Sequence, residues 1–420
     1  MTDADPRLTE MIAAAFAPSP PRRLGVAVSG GGDSVALLHL LVDWARGSGT
    51  ALRAVTVDHG LRPEAALEAE SVARACAELG IGHDVLRWTG WDGRGNLPDQ
   101  ARRARYRLMA DWARVHDFAD VALGHTADDQ AETFLMRLAR GSGVDGLAAM
   151  QPARRAEGVL WHRPLLTARR GALRLWLTAR GIGWIEDPSN EDPAYDRVRV
   201  RQALAVLAPL GIGVEGLLAT AERLRRASDA LRHGARDLAR SAVTGEGGGL
   251  VIDRAKLDAA PAELRDRLLA QALIWVSGAD YRPRYQALAQ VWAGIAEGKR
   301  TTLMGCLILP RKAALRVVRE PAAAEAATEV AVGQIWDGRW QVTGPTEPEK
   351  KMTIRALGEM GLVQCPDWRA GGLPRPTVLS SPAVWQGTRL IAAPLAGKAE
   401  GWRAEPIKSE ADFFNSIILH

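Results

Sequence analysis

The sequence predicts an α/β protein: a parallel-sheet domain at the N-terminal end, then a helical domain, then a small α+β C-terminal domain. Three observations carry this. Between residues 24 and 125, short apolar runs alternate with longer segments of helical spacing, the pattern of strands crossing over through helices. Residues 214–240 and 262–296 keep an apolar period close to that of a helix. From 329 to 405 only short strands and turns are legible.

The first expected strand, 24–28, runs into Ser29-Gly30-Gly31-Gly32-Asp33-Ser34 and then into an expected helix, 34–46. Glycine lets the chain turn tightly and brings backbone N–H groups close to an anion. The helix adds free N-terminal amides and a positive dipole end. Ser29 and Ser34 supply hydroxyls, and Asp33 either caps the helix or faces a metal held by phosphates. Such a loop is expected to grip a phosphate or pyrophosphate. It is not the loop that ends in Gly-Lys-Ser/Thr, and no lysine precedes Lys256.

Expected strands 52–57, 83–88 and 119–124 and helices 63–79, 99–117 and 127–140 complete this part. In parallel sheets ligands lie beyond the C-terminal strand ends, where the glycine loop, Asp58-His59 and Gly124-His125 all fall. Asp58 is suited to orient a ribose or base and His59 to donate to one; a capped turn explains the same pair. Thr126 reads as an N-cap with Asp129 at the capping-box position. His125, Asp128, Asp129 and Glu132 gather over the first turns of that helix. These acids suit Mg²⁺ beside a triphosphate, and equally suit the helix dipole. Arg102 and Arg105 share a helix face, where they either clamp phosphates or pair with acids. A helix at 165–181, a polar loop at 186–196, a hairpin at 301–318 and an Ala/Glu-rich linker at 320–328 follow.

With 420 residues, 47% hydrophobic and 25% charged, the chain has the composition of a globular protein of two or three domains. It shows no apolar run of membrane-spanning length and no signal-peptide pattern, so no membrane partner and a cytoplasmic location are expected. Cys76, Cys306 and Cys365 lie far apart and form no C-x-x-C pair, which indicates neither a disulfide framework nor a thiolate metal site. A net charge of +5, carried mostly by arginine, is compatible with an RNA partner without demanding one.

The run S-G-G-G-D-S resembles the pyrophosphate loop of the N-type ATP pyrophosphatases. With Asp58-His59-Gly60-Leu61-Arg62, Ala101–Tyr106, Gly124–Thr133, Arg140–Leu147, Arg163-Pro164-Leu165-Leu166 and Asp187–Asp192 following in that order, the chain resembles the tRNA(Ile)-lysidine synthetase family. Asp337-Gly338-Arg339 is also similar to that family. One departure is Val198, which follows Arg197 where the family carries Asn; the flanking arginines are kept. The tRNA thiolases that share the loop use paired cysteines, which this chain lacks.

The resemblance implies a Rossmann-like PP-loop ATPase domain over 1–205, a helical tRNA-binding or linker domain over 206–320, and a C-terminal domain over 329–420 that contacts the acceptor stem. It implies that ATP adenylates the C2 oxygen of the wobble cytidine in the CAU anticodon of tRNA(Ile), with diphosphate released. L-lysine then displaces AMP to leave lysidine, and codon and amino-acid specificity change from Met to Ile. By the same resemblance Ser29, Gly30, Gly31, Gly32, Asp33, Ser34, Asp58 and His59 bind ATP. Asp33, His125, Asp129 and Glu132 serve catalysis, with Asp33, Asp128 and Asp129 at Mg²⁺. Arg102, Arg105, Arg197 and Arg201 meet the tRNA substrate. Glu132 and the acids of 187–192 are candidates for receiving lysine, and a homodimer is compatible with the family.

Overall fold

The computed structural model describes residues 4–60, 65–89, 97–186, 192, 194–279, 281–344 and 352–419. The chain divides into two compact units, Met1–Ser228 and Asp229–His420.

The first unit opens with α1 (Ala4–Phe16), β1 (Arg23–Ala27), α2 (Gly32–Ser48), β2 (Ala51–Asp58), α3 (Ala65–Glu78), β3 (Gly82–Arg87) and α4 (Leu97–Val115). It continues through β4 (Asp120–Leu123), α5 (Ala127–Ala139), α6 (Val144–Leu147), β5 (Ala153–Ala156), β6 (Val159–His162), α7 (Arg170–Ala179), α8 (Asp196–Leu207) and α9 (Val214–Ala242). The sheet order is β3-β2-β1-β4-β6-β5, parallel throughout except for the edge strand β5. β1 is central, with Val26 opposite Ala54 on one side and Ala122 on the other.

Helices cover both faces, as a central strand buried from Leu24 to Ala27 requires. On one face Leu37, Leu38 and Leu41 of α2 pack with Leu24, Val26 and Leu173, Trp176 and Leu177 of α7. On the other, Met109 and Trp112 of α4 pack with Ala27, Val55, Val121 and Trp161. Full burial of one such leucine contributes roughly 1.5–3 kcal/mol. α2 and α7 are therefore fixed to the sheet and to each other beside the end of β1, which is what holds the site together.

The structure departs from the sequence reading at several points. α2 begins at Gly32, two residues earlier than expected, because a glycine N-cap needs no side chain. The helix expected over 165–181 is the ten-residue α7, since the turns around Pro164 precede it. α1 and the β5–β6 hairpin were not anticipated. Leu8, Ile12 and Phe16 nonetheless give α1 a buried stripe, whereas β5 leaves three of its four residues exposed.

The second unit begins within α9 and continues β7 (Val243–Glu246), β8 (Gly249–Asp253), α10 (Arg254–Ala259), α11 (Ala262–Ser277), α12 (Tyr285–Ala296), β9 (Thr301–Leu303), β10 (Cys306–Pro310) and β11 (Ala314–Arg319). It ends with α13 (Pro321–Glu325), β12 (Val330–Ala331), β13 (Trp340–Thr343), β14 (Met352–Ala356), α14 (Gly358–Leu362), α15 (Arg375–Leu379), β15 (Pro382–Gln386), β16 (Arg389–Ala392), β17 (Arg403–Pro406) and α16 (Glu410–Leu419).

The segment read as helical thus also contains an antiparallel five-stranded sheet, β7-β8-β11-β10-β9. The expected helical run 262–296 is split into α11 and α12, α11 ending at Gly278 with φ +73°. The Ala/Glu-rich linker holds α13, anchored by fully buried Ala324. Phe413 and Ile417 of α16 return to the core built by α11 and the five-stranded sheet. Asp337 receives a bidentate pair from Arg319 at 2.9 and 3.0 Å, so Asp337-Gly338-Arg339 is tied into this unit's framework. All three cysteines are free and buried. Among the described residues no single helix is long and apolar enough to cross a membrane.

Candidate active site

β1 ends and α2 starts within five residues, and the turn between them is held by its own serines. The Ser34 hydroxyl donates to the Gly31 carbonyl at 2.9 Å and accepts the Ser29 N–H at 3.1 Å. The two hydroxyls, Ser29 Oγ and Ser34 Oγ, lie 3.1 Å apart. Gly30 takes φ +84°, the left-handed region where glycine alone is unstrained. Its carbonyl accepts the N–H of Ile185 at 2.9 Å, pinning the 184–186 segment beside the loop. The N-cap Gly31 makes no side-chain cap. The first amides of α2 therefore stay available to an outside acceptor, with the dipole end behind them.

The loop forms one wall of a cavity of about 240 Å³. Ser29, Gly31, Gly32, Asp33 and Ser34 line it, with Gly124, His125 and Asp129 from the end of β4 and the start of α5. Arg105, Arg170, Arg174, Arg197 and Arg201 also line it, against the acids Asp33, Asp129 and Glu186. Five guanidinium groups face three carboxylates there, an excess of positive charge that suits an anion. Arg174 pairs with Glu186 at 3.0 Å, whereas Arg105 and Arg197 are left without an ion pair among the described residues.

At α5 the expected capping box is present: Asp129 Oδ2 accepts the Thr126 N–H at 2.8 Å and the Thr126 hydroxyl at 2.9 Å. The other Asp129 oxygen accepts Arg170 at 3.1 Å. The same guanidinium donates to Asp33 Oδ2 at 2.8 Å and to Glu132 Oε1 at 3.3 Å. Glu132 is fully buried and receives Arg201 as well, at 3.1 Å. Among the described residues, Asp33 Oδ1, Glu132 Oε2 and His125 Nδ1 are buried with no hydrogen-bond partner.

Burial pushes the Asp33 carboxyl up, with Arg170 opposing. Burial also acts against ionised Asp129, but Arg170, the Thr126 hydrogen bond and Arg197 outweigh it and hold that carboxyl below its ordinary range. Burial drives His125 down, despite Asp129, and nearby Arg163, Arg105 and Arg102 add to the effect; His125 is a neutral imidazole at physiological pH.

Not every expected residue reaches the cavity. Asp58 and His59 stand at the end of β2, outside the lining: Asp58 Oδ1 accepts the Gly60 N–H at 2.8 Å, and His59 meets Trp88 edge-on at 5.9 Å. Asp128 turns to other partners, accepting the Arg170 backbone N–H at 2.7 Å and Arg169 at 3.3 Å. Arg102 lies over the Tyr106 ring at 5.4 Å rather than in the cavity. The acidic run 187–191 and residues 61–64 lie outside the described residues. Arg170, Arg174 and Glu186 were missed by the sequence reading. The only signal for Arg170 was its place four residues after Arg163-Pro164-Leu165-Leu166, where an extended stretch hands over to a helix.

Both Asp129 oxygens and both Asp128 oxygens already have donors, and no group of three metal-ligating side chains occurs among the described residues. The orphaned Asp33 Oδ1 fits an ion bound by one protein carboxylate and completed by phosphate oxygens and water.

The chain is similar to known proteins along nearly its whole length. Residues 4–207 match the PP-loop domain family. The chain is 49% identical over 417 residues to the tRNA(Ile)-lysidine synthase of Ruegeria pomeroyi, covering 98% of both chains. It is 41% identical to that of a Bradyrhizobium species, over 71% of this chain and 90% of the relative. It is 35% identical to that of Wolbachia pipientis wMel, over 81% and 78%.

Proposed function

The chain belongs to the tRNA(Ile)-lysidine synthase family, and from that premise we propose how its cavity serves the reaction. The enzyme joins L-lysine to C2 of the wobble cytidine in the CAU anticodon of tRNA(Ile). ATP first adenylates the cytidine and loses diphosphate; lysine then displaces AMP.

Cytosine O2 is a poor leaving group, and adenylation makes it a good one. As the α-phosphorus transfers, negative charge gathers on the departing diphosphate. The uncapped turn Ser29–Ser34 is the part of the cavity suited to receive it, through the amides of Gly31 to Asp33 and the α2 dipole. That single observation carries the proposal. Arg105 and Arg197, which pair with no carboxylate among the described residues, meet the phosphates of ATP or of the anticodon backbone. Neutral His125 contacts the α-phosphate and stays with the AMP leaving group. When bound, Mg²⁺ neutralises phosphate charge, with Asp33 Oδ1 as its protein ligand. We take Glu132 Oε2, outside the cavity lining and unpartnered among the described residues, as the group that accepts a proton or a hydrogen bond from the lysine amine.

The target cytidine must leave the anticodon stack to expose its C2 edge. Because methionine tRNA shares the CAU anticodon, contacts of the second unit with the rest of the tRNA supply the discrimination. A cytoplasmic location and a homodimer complete the reading. The test is incubation with ATP, labelled lysine and tRNA(Ile) carrying CAU, followed by nucleoside mass spectrometry. Lysidine that appears only with all three substrates is the expected result; its absence from a folded, ATP-binding preparation defeats the reading.

A further inference from the structure

Arg170 connects two motifs that are far apart in the chain. Its three guanidinium nitrogens are each assigned to a different acid: Nε to Asp33, Nη2 to Asp129 and Nη1 to Glu132. Its backbone is held as well. Asp128 Oδ2 accepts the Arg170 N–H at 2.7 Å, and the Ala127 N–H donates to the Ala168 carbonyl at 2.9 Å, stitching the start of α5 to the start of α7. Two adjacent acids therefore grip one arginine at two points, Asp128 by its main chain and Asp129 by its side chain.

Charge counting shows why this matters. Asp33, Asp129 and Glu132 bring three carboxylates into largely buried space, and among the described residues only Arg170 and Arg201 pair with them directly, Arg170 with all three. Without Arg170, repulsion and desolvation would act together to displace the acids. With it, each acid has one oxygen tethered, and Asp33 Oδ1 and Glu132 Oε2 are kept buried yet unpartnered.

We propose that Arg170, seated by Asp128, is the positioning residue of this active site: it aligns Asp33 and Glu132 with one free oxygen each before substrates arrive. It acts through those acids, and the proposal rests on the reaction assigned above. Asp128 accordingly works as the seat of α7 and not as a metal ligand. The guanidinium geometry is specific, since three nitrogens in one plane reach three carboxylates, whereas an ammonium is a single point charge.

The full-length chain is compared with Arg170→Met, Arg170→Lys, Asp128→Ala and Asp128→Asn. Thermal unfolding establishes folding, calorimetry gives ATP affinity without tRNA or lysine, and lysidine formation gives kcat and KM. Arg170→Met is expected to weaken ATP binding at least 10-fold and lower kcat at least 100-fold, with Arg170→Lys recovering part of both. Asp128→Asn keeps an acceptor oxygen for the Arg170 N–H, so it is expected to recover at least 10-fold of the kcat that Asp128→Ala loses. Equal damage in Asn and Ala would show that the Asp128 charge itself is needed, and would overturn the proposal. So would ATP affinity and kcat within threefold of native in Arg170→Met. Should Arg170→Met not fold, the Asp128 pair decides by the same criterion. A native chain that binds ATP but makes no lysidine would instead defeat the family reaction, and the ranking of ATP affinities would still judge Arg170.

Discussion

Gly124, at the end of β4, lies directly against Asp33 of the phosphate loop. A Cβ at Gly124 would stand 3.1 Å from the Asp33 carbonyl oxygen and 3.1 Å from Ser34 Cα. Both neighbours are backbone and cannot rotate away. Gly124→Ala is therefore expected to push the loop off β4, costing about 1–3 kcal/mol of stability. ATP binding should weaken at least 10-fold, which calorimetry on the purified variant measures.

Ser34 closes the loop from inside, accepting the Ser29 N–H and donating to the Gly31 carbonyl. Ser34→Ala removes the acceptor of the Ser29 N–H, a loss of about 0.5–1.5 kcal/mol for a part-buried hydrogen bond. Chemical denaturation should register the loss, and ATP affinity should fall with it. An unchanged midpoint would mean that the loop is held in some other way.

Arg105 and Arg197 differ from Arg170 because removing either orphans no carboxylate among the described residues. Because burial already disfavours the Arg105 cation, alanine at either position is expected to cost no more than about 1 kcal/mol of stability. KM for ATP or for tRNA should nonetheless rise at least 10-fold, and the dependence of tRNA affinity on salt should become shallower. Steady-state kinetics at two ionic strengths reads both effects.

Asp84 gives a pH signature away from the cavity. The Arg53 hydrogen bond at 2.8 Å, aided by Trp112 at 2.9 Å, holds its carboxyl down at about 2. A carboxyl depressed in the folded state stabilises the protein above its ordinary value near 4 and loses that contribution as pH falls toward 2. Asp84→Asn should therefore cost about 1 kcal/mol at pH 7 after solvent screening, and almost nothing near pH 2. Denaturation curves at the two pH values test this.

The thiols are expected to be inert. Burial raises Cys76 to about 11 and Cys306 to about 12, and Cys365 is raised as well. None should react with iodoacetamide in the native protein, and all three should react after unfolding, as mass spectrometry will show.

The parallel sheet was legible because its strands are buried on both faces and its helices carry clear stripes; Val26 and Leu37 announce their surroundings. The glycine loop and the Thr126–Asp129 capping box were legible because local chemistry fixes them within a few residues. Arg170 was not, because its meaning depends on Asp33 and Glu132, which lie 137 and 38 residues away. Sequence spacing likewise gave Asp128 and Asp129 one shared role, whereas the packing of α7 on α5 divides it. In the second unit, α9, α11 and α12 announced themselves by periodicity. Short strands such as Val243–Glu246 carry too few residues for an alternation to register.

The central claim is that the turn from Ser29 to Ser34 holds the leaving diphosphate. A crystal structure of the full-length chain with a non-hydrolysable ATP analogue and Mg²⁺ tests it most directly. The account predicts β- and γ-phosphates against the amides of Gly31 to Asp33, with Asp33 Oδ1 on the metal. Phosphates bound elsewhere, with that turn empty, would contradict it.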